Sequence, residues 1–267
     1  MTVEFFAELG SNHNHDLDRA FNLIYRANKI GCTGVKFQYF RADSLWNKDK
    51  FPAEYASAKY NELNPEWLPA ISEAVRAKGM LFGMSVFDPN DVEFLEPYVD
   101  YFKIASFEAG WFDLIKAVYA TEKRLMISTG QASKSELNDI FLHLPIHLST
   151  EVDFLHCVSK YPAKLKDCNF NIIKENSVIN GWSDHTVFPT AIYTAIALGA
   201  RVIEFHLDLN DKQGKEWHHS WTPSKMGQVI AMSKILPEAL GDGNWDNFYN
   251  AQDLKYKCNS ATGMRGE

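Results

Sequence analysis

Tyr101-Phe102-Lys103-Ile104-Ala105-Ser106 is a short, largely apolar run that ends in polar chemistry. Phe102 and Ile104 alternate with Lys103, as a half-buried strand with one chemically distinct face requires. Seven more runs share the form: Phe5-Phe6-Ala7-Glu8, Gly34-Val35-Lys36-Phe37-Gln38, Leu81-Phe82-Gly83-Met84-Ser85, Leu125-Met126-Ile127-Ser128-Thr129, Phe154-Leu155-His156-Cys157-Val158-Ser159, Gly181-Trp182-Ser183-Asp184-His185 and Val202-Ile203-Glu204-Phe205-His206. Parallel strands present their C-terminal ends on one face, so a polar terminus in every unit reads as one assembled active site. The expectation is an α/β enzyme, a single-domain (β/α)8 TIM barrel.

Helical patterns separate the runs: Leu17 to Ile30, Glu66 to Lys78, Asp91 to Tyr98, Phe112 to Thr121, Lys134 to Phe141, Thr186 to Leu198 and Ser224 to Leu240. Gly31, Gly79 and Gly199 stop helices and Pro223 starts one. Tyr39 to Pro65 is too long for a routine βα connection and reads as a lid or an insertion. From Gly241 the chain turns polar and aperiodic. The barrel domain is therefore placed at 1–243, and 244–267 is read as a C-terminal extension or linker remnant.

At 267 residues, 46% hydrophobic and 23% charged, the chain suits one soluble barrel domain. A formal charge of −7 argues against a nucleic-acid surface, so an anionic ligand must be held by a few local cations. No basic leader and no apolar run of membrane-spanning length is evident, and a cytoplasmic protein with no membrane partner is expected. Cys32, Cys157, Cys168 and Cys258 form no CxxC pair, which favours reduced thiols over zinc or disulfides. Cys157 is also weighed as a nucleophile, against the alternation that sends neighbouring His156 to the opposite face.

Lys36 and Lys103, ending otherwise apolar strands of an acidic protein, suggest capture of a small dianion such as a phosphate or carboxylate ester. Ser85, Ser106, Ser128, Thr129 and Ser159 occupy matching ends, where hydroxyls donate to anionic oxygens. His185 and His206 close consecutive strands beside Asp184 and Glu204. Two imidazoles on adjacent strands can share a divalent ion and leave it open positions. His218 and His219, in the loop from Gly214 to Pro223, can reach the same rim or lie solvated. Glu8 and Glu108 are the candidate proton-transfer groups. Asn12, His13 and Asn14 read as a polar floor for a hydroxylated substrate.

Taken in order, AELGSNHNHD, GVKFQYF, SVFD, FKIASFE, ISTGQAS, HCVSKYP, GWSDHT and VIEFHLDL resemble the strand-end motifs of the sialic acid (N-acetylneuraminate) synthase family, from about Val3 to about Gly243. The resemblance implies condensation of phosphoenolpyruvate with the open-chain aldehyde of an N-acetylmannosamine-like or otherwise modified sugar, giving a 3-deoxy-2-ulosonic acid and phosphate. It implies a divalent metal, manganese first and magnesium or cobalt as alternatives. It assigns Lys36, Ser85, Lys103, Ser106, Ser128 and Ser183 to phosphoenolpyruvate, Glu8, Gln38, Glu108 and Tyr161 to the sugar and reacting centre, and His185 and His206 to the metal.

The departures gather on the acceptor side. His15 stands where the family's NHxG has glycine, Val86-Phe87-Asp88 replaces PFD, and Phe107 replaces the glycine of PSGE. Ser159 replaces an asparagine, and the late PDH motif reads Glu216-Trp217-His218, with Glu216 standing in for its aspartate. The antifreeze-like domain that sends an arginine across the family's dimer is not matched, which weakens an expected homodimer and points to an acceptor other than N-acetylmannosamine. Two competing readings remain: a Schiff-base aldolase or lyase on Lys103 or Lys36, and a catalytically silent binding partner of a sugar-acid pathway.

Overall fold

The computed structural model describes residues 2–144, 150–241 and 243–244; Cys258 and all but the first residue of the 244–267 extension lie outside them. The strands are β1 (Glu4–Gly10), β2 (Gly34–Tyr39), β3 (Leu81–Val86), β4 (Tyr101–Ile104), β5 (Arg124–Ser128), β6 (Val152–Cys157), β7 (Ile179–Asp184) and β8 (Val202–His206). All pair in parallel with their sequence neighbours, and β8 returns to β1, closing the barrel. Each of the eight apolar runs forms one strand.

Two sets of side chains follow from the alternation. Phe5, Ala7, Val35, Phe37, Phe82, Met84, Phe102, Ile104, Leu125, Ile127, Trp182, Ile203 and Phe205 face outward into the main core with the helices. Phe6, Tyr101, Met126, Leu155 and Val202 form a separate cluster that fills the barrel. Large rings fit there because glycines oppose them: a Cβ on Gly34 would strike Phe6, and one on Gly83 would strike the Tyr101 ring. Below this layer Arg124 binds Glu4 (2.7 Å) and Asp153 (2.7 Å), closing the N-terminal end. The next inward position up seven of the strands is polar, with Cys157 there on β6, and that layer carries the chemistry.

The surrounding helices are α1 (Leu17–Lys29), α2 (Ala42–Leu45), α3 (Pro52–Asn61), α4 (Leu68–Arg76), α5 (Val92–Leu95), α6 (Phe112–Tyr119), α7 (Lys134–His143), α8 (Asn171–Glu175), α9 (Pro189–Ala197), α10 (Pro223–Ser233) and α11 (Leu236–Leu240). Asp16 caps α1 by accepting from the Asp18 and Arg19 amides, and Gly31 (φ +88°) ends that turn in the left-handed region.

Two expectations are corrected, and one helix carried no sequence signal. The periodic stretch Ser224 to Leu240 forms two helices, α10 and α11, and the pattern from Asp91 yields only the single turn of α5. The β6 to β7 connection holds α8, a five-residue helix too short to show a 3.6-residue repeat. The stretch Tyr39 to Pro65 is an ordered insertion carrying α2 and α3. It is pinned by Arg41 to Asp88 (3.1 Å) and by Glu62 accepting from the Ala42 amide (2.7 Å), with Phe40, Ala42 and Ala58 buried as a small core.

Candidate active site

Glu8, Lys36, Ser85, Lys103, Ser128, Ser183, Glu204 and His206 are all buried, on the inward register of seven of the eight strands, all but β6. The lysines are 2% exposed, which excludes a solvated role for either. Lys36 Nζ donates to Ser85 Oγ (2.8 Å), pairs with Glu8, and lies 3.6 Å from Glu204 Oε2. Lys103 Nζ donates to Ser128 Oγ (2.7 Å) and to the Ile104 carbonyl (3.1 Å), and lies 3.7 Å from Glu204 Oε1. Burial pushes Lys36 down to about 8, while the charge of Glu204 opposes that fall. Burial would raise Glu204, but Lys103 and Lys36 bring it down to about 2, so it is ionised at neutral pH. Two ammonium groups thus converge on one buried carboxylate whose Oε2 accepts no hydrogen bond.

Ser183 donates its own proton to Glu204 Oε1 (2.7 Å). Ser106 accepts from the Gly130 amide (3.2 Å) and touches Cys157 Sγ at 2.9 Å. Thr129 is committed to the Leu155 carbonyl, whereas the Ser159 hydroxyl is buried without a partner. Burial raises the Cys157 thiol, so no thiolate is stabilised there.

On the opposite side of the mouth, His185 Nδ1 meets the Val158 carbonyl (2.8 Å) and His206 Nδ1 meets Glu216 Oε2 (2.7 Å). A carbonyl and an ionised carboxylate only accept, so each Nδ1 donates the proton of its hydrogen bond. The ring centroids of His185 and His206 are 5.3 Å apart. His206, Glu216 and His219 bring donor atoms within 4.8 Å of one another. Burial holds His185 down at about 3 and His219 at about 4, with His206 adding to both effects. Imidazoles beside an ionised carboxylate, with His185 and His206 oriented by outer hydrogen bonds, form a donor set that fits a divalent transition-metal ion.

The acceptor side is built from loops. Gln38 Nε2 donates to Glu216 Oε1 (3.3 Å). Tyr161, half-exposed, lays its ring against His185 (4.3 Å) and His219 (4.9 Å). Glu108 sits in the loop after β4 with Oε2 buried and unpartnered, and burial raises its carboxyl above the usual range. His15, in the left-handed region at φ +56°, packs on Tyr60 (4.8 Å), and Phe107 is exposed at the rim.

Two residues do not lie where the sequence suggested. Asn12 is fully buried beneath the floor: Nδ2 donates to the Leu207 carbonyl (3.0 Å) and Ser220 Oγ (3.3 Å), and Oδ1 accepts from the Glu216 amide (2.7 Å). Its side chain is a tether for the loop that carries Glu216 and His219. Asp184 points out of the barrel, accepting from both Trp182 Nε1 (3.2 Å) and Trp221 Nε1 (2.8 Å). The residue that sequence reasoning undervalued is Glu204, placed only beside the histidines. A period of two was the available signal, since it puts Glu204 on the inward face with His206 and Asp184 on the outward one.

Eight strands delivering their terminal side chains to one mouth make this chain a (β/α)8 barrel enzyme. The NeuB family model matches residues 23–245, and the chain belongs to that family. Pseudaminic acid synthase of Campylobacter jejuni is 33% identical, over 91% of this chain and 76% of its own length. The N,N'-diacetyllegionaminic acid synthase of Legionella pneumophila is 31% identical, over 91% and 74%. Among solved structures, N-acetylneuraminic acid synthetase of Leptospira borgpetersenii in complex with citrate superposes with a TM-score of 0.85 at 25% identity, covering 94% of this chain and 92% of the other. Among the described residues no helix is long and apolar enough to cross a membrane.

Proposed function

We propose that this chain condenses phosphoenolpyruvate with a sugar aldehyde to give a 3-deoxy-2-ulosonic acid of the sialic acid type and inorganic phosphate. The observation that carries the reading is the pair of buried lysines, Lys36 and Lys103, held by serine hydroxyls around Glu204, with Glu8 beside Lys36. Such a cradle suits a dianion's phosphate and carboxylate. The Ser106 hydroxyl, which accepts from the Gly130 amide, can add a donor beside it. Both amines are engaged by serine hydroxyls and buried carboxylates, which favours anion capture over a free nucleophilic amine.

In the reaction, C3 of phosphoenolpyruvate bonds to the aldehyde carbon and the aldehyde oxygen takes up a proton. Water adds at C2, and the C2–O bond breaks with its electron pair leaving on phosphate. Glu108, whose carboxyl burial raises above its usual range, is placed to hold a proton at the sugar oxygen. Glu8 and Gln38 orient the aldehyde, and Tyr161 and Glu216 line the acceptor's approach. A divalent cation, manganese by resemblance with magnesium or cobalt as alternatives, would be held by His185 and His206 and would supply Lewis acidity toward the aldehyde oxygen.

The changed acceptor-side residues, His15, Phe107, Ser159 and Glu216, favour a dialdose, an aldose or a modified amino sugar over N-acetylmannosamine. The same proposal assigns the barrel to 1–243 with 244–267 as an extension, a cytoplasmic location and a homodimer. A screen of sugar aldehydes for phosphate release from phosphoenolpyruvate, with manganese present, tests the function. Release with one acceptor class is expected; none with any acceptor, while metal and phosphoenolpyruvate both bind, would overturn it.

A further inference from the structure

The loop after β8 brings a third imidazole to the mouth. His219 lies 4.6 Å from His206, 6.4 Å from His185 and 4.9 Å from Tyr161, ring centroid to ring centroid. Its ring nitrogens make no hydrogen bond to any described residue, and the ring is partly buried. A partly buried imidazole with both nitrogens free of protein partners, set among two other imidazoles, is available to a ligand at the mouth. Its neighbour His218 is used differently, stacked on Trp217 at 3.7 Å.

The position of His219 is built rather than incidental. Asn12 Oδ1 holds the Glu216 amide, and Ser220 Oγ donates to the Glu216 carbonyl at 2.7 Å. The Trp221 amide donates to the His206 carbonyl at 2.7 Å, locking the far end of the loop to β8. Arg19 reaches Asp208 (2.6 Å) and Asp211 (2.6 Å), and Asp208 accepts from the Gly214 amide (3.1 Å). Gly10, at φ +44°, leaves the space that the Glu216 carboxylate occupies. This network fixes His219 and Glu216 relative to His206 from both sides of the loop.

We propose that His219 is a third imidazole ligand of the divalent-cation site, completing a set with His185 and His206 while Glu216 orients His206 from behind. The assignment rests on the cation site of the proposed function and deepens it. Three nitrogen donors favour cobalt, zinc or ferrous iron more strongly than magnesium or manganese, whose preferred donors are oxygens. His219 would therefore set which metal this chain selects.

Cobalt is the probe, because its visible absorption reports ligand type and coordination number independently of turnover. Titrating the full chain and the His219→Ala, His219→Gln and His218→Ala variants with cobalt, zinc and manganese gives affinities and spectra together. Loss of His219 is expected to shift the cobalt bands and weaken cobalt and zinc by at least ~10-fold, with a smaller loss for manganese. His218→Ala should match the unaltered protein. In the cobalt-loaded unaltered protein, proton spectra should contain three exchangeable, hyperfine-shifted imidazole N–H signals, a count that needs no substitution. Two such signals, or His219 variants with unaltered spectra and affinities, would overturn the His219 assignment while leaving the cation site standing. Absence of any cobalt binding to the unaltered protein would instead remove the cation site itself and this ligand with it.

Discussion

His206 Nδ1 stands 2.7 Å from Glu216 Oε2, so a strand end and a loop ten residues away meet as a carboxylate–imidazole pair. The pair exists because Asn12, from the loop after β1, grips the Glu216 amide. Asn12→Ala should loosen that loop and lower metal affinity by ~10- to 100-fold, with phosphoenolpyruvate affinity unchanged. Manganese titration followed by electron paramagnetic resonance, beside calorimetry with phosphoenolpyruvate, checks it. A raised acceptor KM with unaltered metal affinity would return Asn12 to the substrate floor.

Lys103→Met should abolish measurable phosphoenolpyruvate binding, because it leaves Glu204 buried with half its counter-charge and strips Ser128 of its donor. Removing one partner of a buried ion pair costs about 3–5 kcal/mol, so the melting temperature should fall too. The double variant Lys103→Met with Glu204→Gln should recover stability and not binding. Thermal melts and ligand titration separate the two. Borohydride in the presence of pyruvate should leave the unaltered enzyme active and unlabelled; a trapped adduct on either lysine would favour a Schiff-base aldolase.

Glu108→Gln should cut turnover by on the order of 10²-fold while phosphoenolpyruvate still binds, since the unpartnered carboxyl, raised by burial, is assigned to proton transfer and not to the anion cradle. Glu8→Gln should lower turnover similarly. Single-turnover phosphate release with bound phosphoenolpyruvate measured in parallel is the test, and full rates in both variants would refute the roles given to them.

Stability of the metal-free protein should decline as pH falls from about 7 to about 5. Three imidazoles are held neutral mainly by burial, His13 at about 4, His185 at about 3 and His219 at about 4. Their unfolded counterparts take up protons near 6.5, so over that interval the unfolded state binds more protons and ΔG of unfolding drops by up to ~1.4 kcal/mol per pH unit for each group. Glu204 is ionised throughout this range, its contribution being lost only toward about 2. Glu108, raised by burial, acts in the opposite sense at the acid end. Melts in chelator across this range check it: a flat profile would contradict the burial of neutral imidazole, and His13→Gln should flatten the slope in part.

Inside the barrel, Gly83→Ala should destabilise the fold by about 1–3 kcal/mol, because the added methyl meets the ring of fully buried Tyr101 with no space to yield. Denaturant unfolding measures it. The paired change Gly83→Ala with Tyr101→Leu should recover part of the loss.

The sequence by itself determined the barrel and the identity of its inner layer. Eight runs of period two carry their own inside and outside, and parallel strands need no long-range information to place their ends together, so Lys36, Lys103, His185 and His206 were legible at once. Glu204 was equally legible from alternation with His206. What only the tertiary structure decided lies in the loops, where no period applies and a side chain's direction depends on what it meets. Asn12 went beneath the floor because Leu207, Ser220 and Glu216 offered its amide complementary bonds there. Asp184 turned outward to two indole N–H groups, and His219 came to the mouth because its loop is clamped from both ends. Strand geometry is local and repeats, whereas loop geometry is settled by partners distant in the chain.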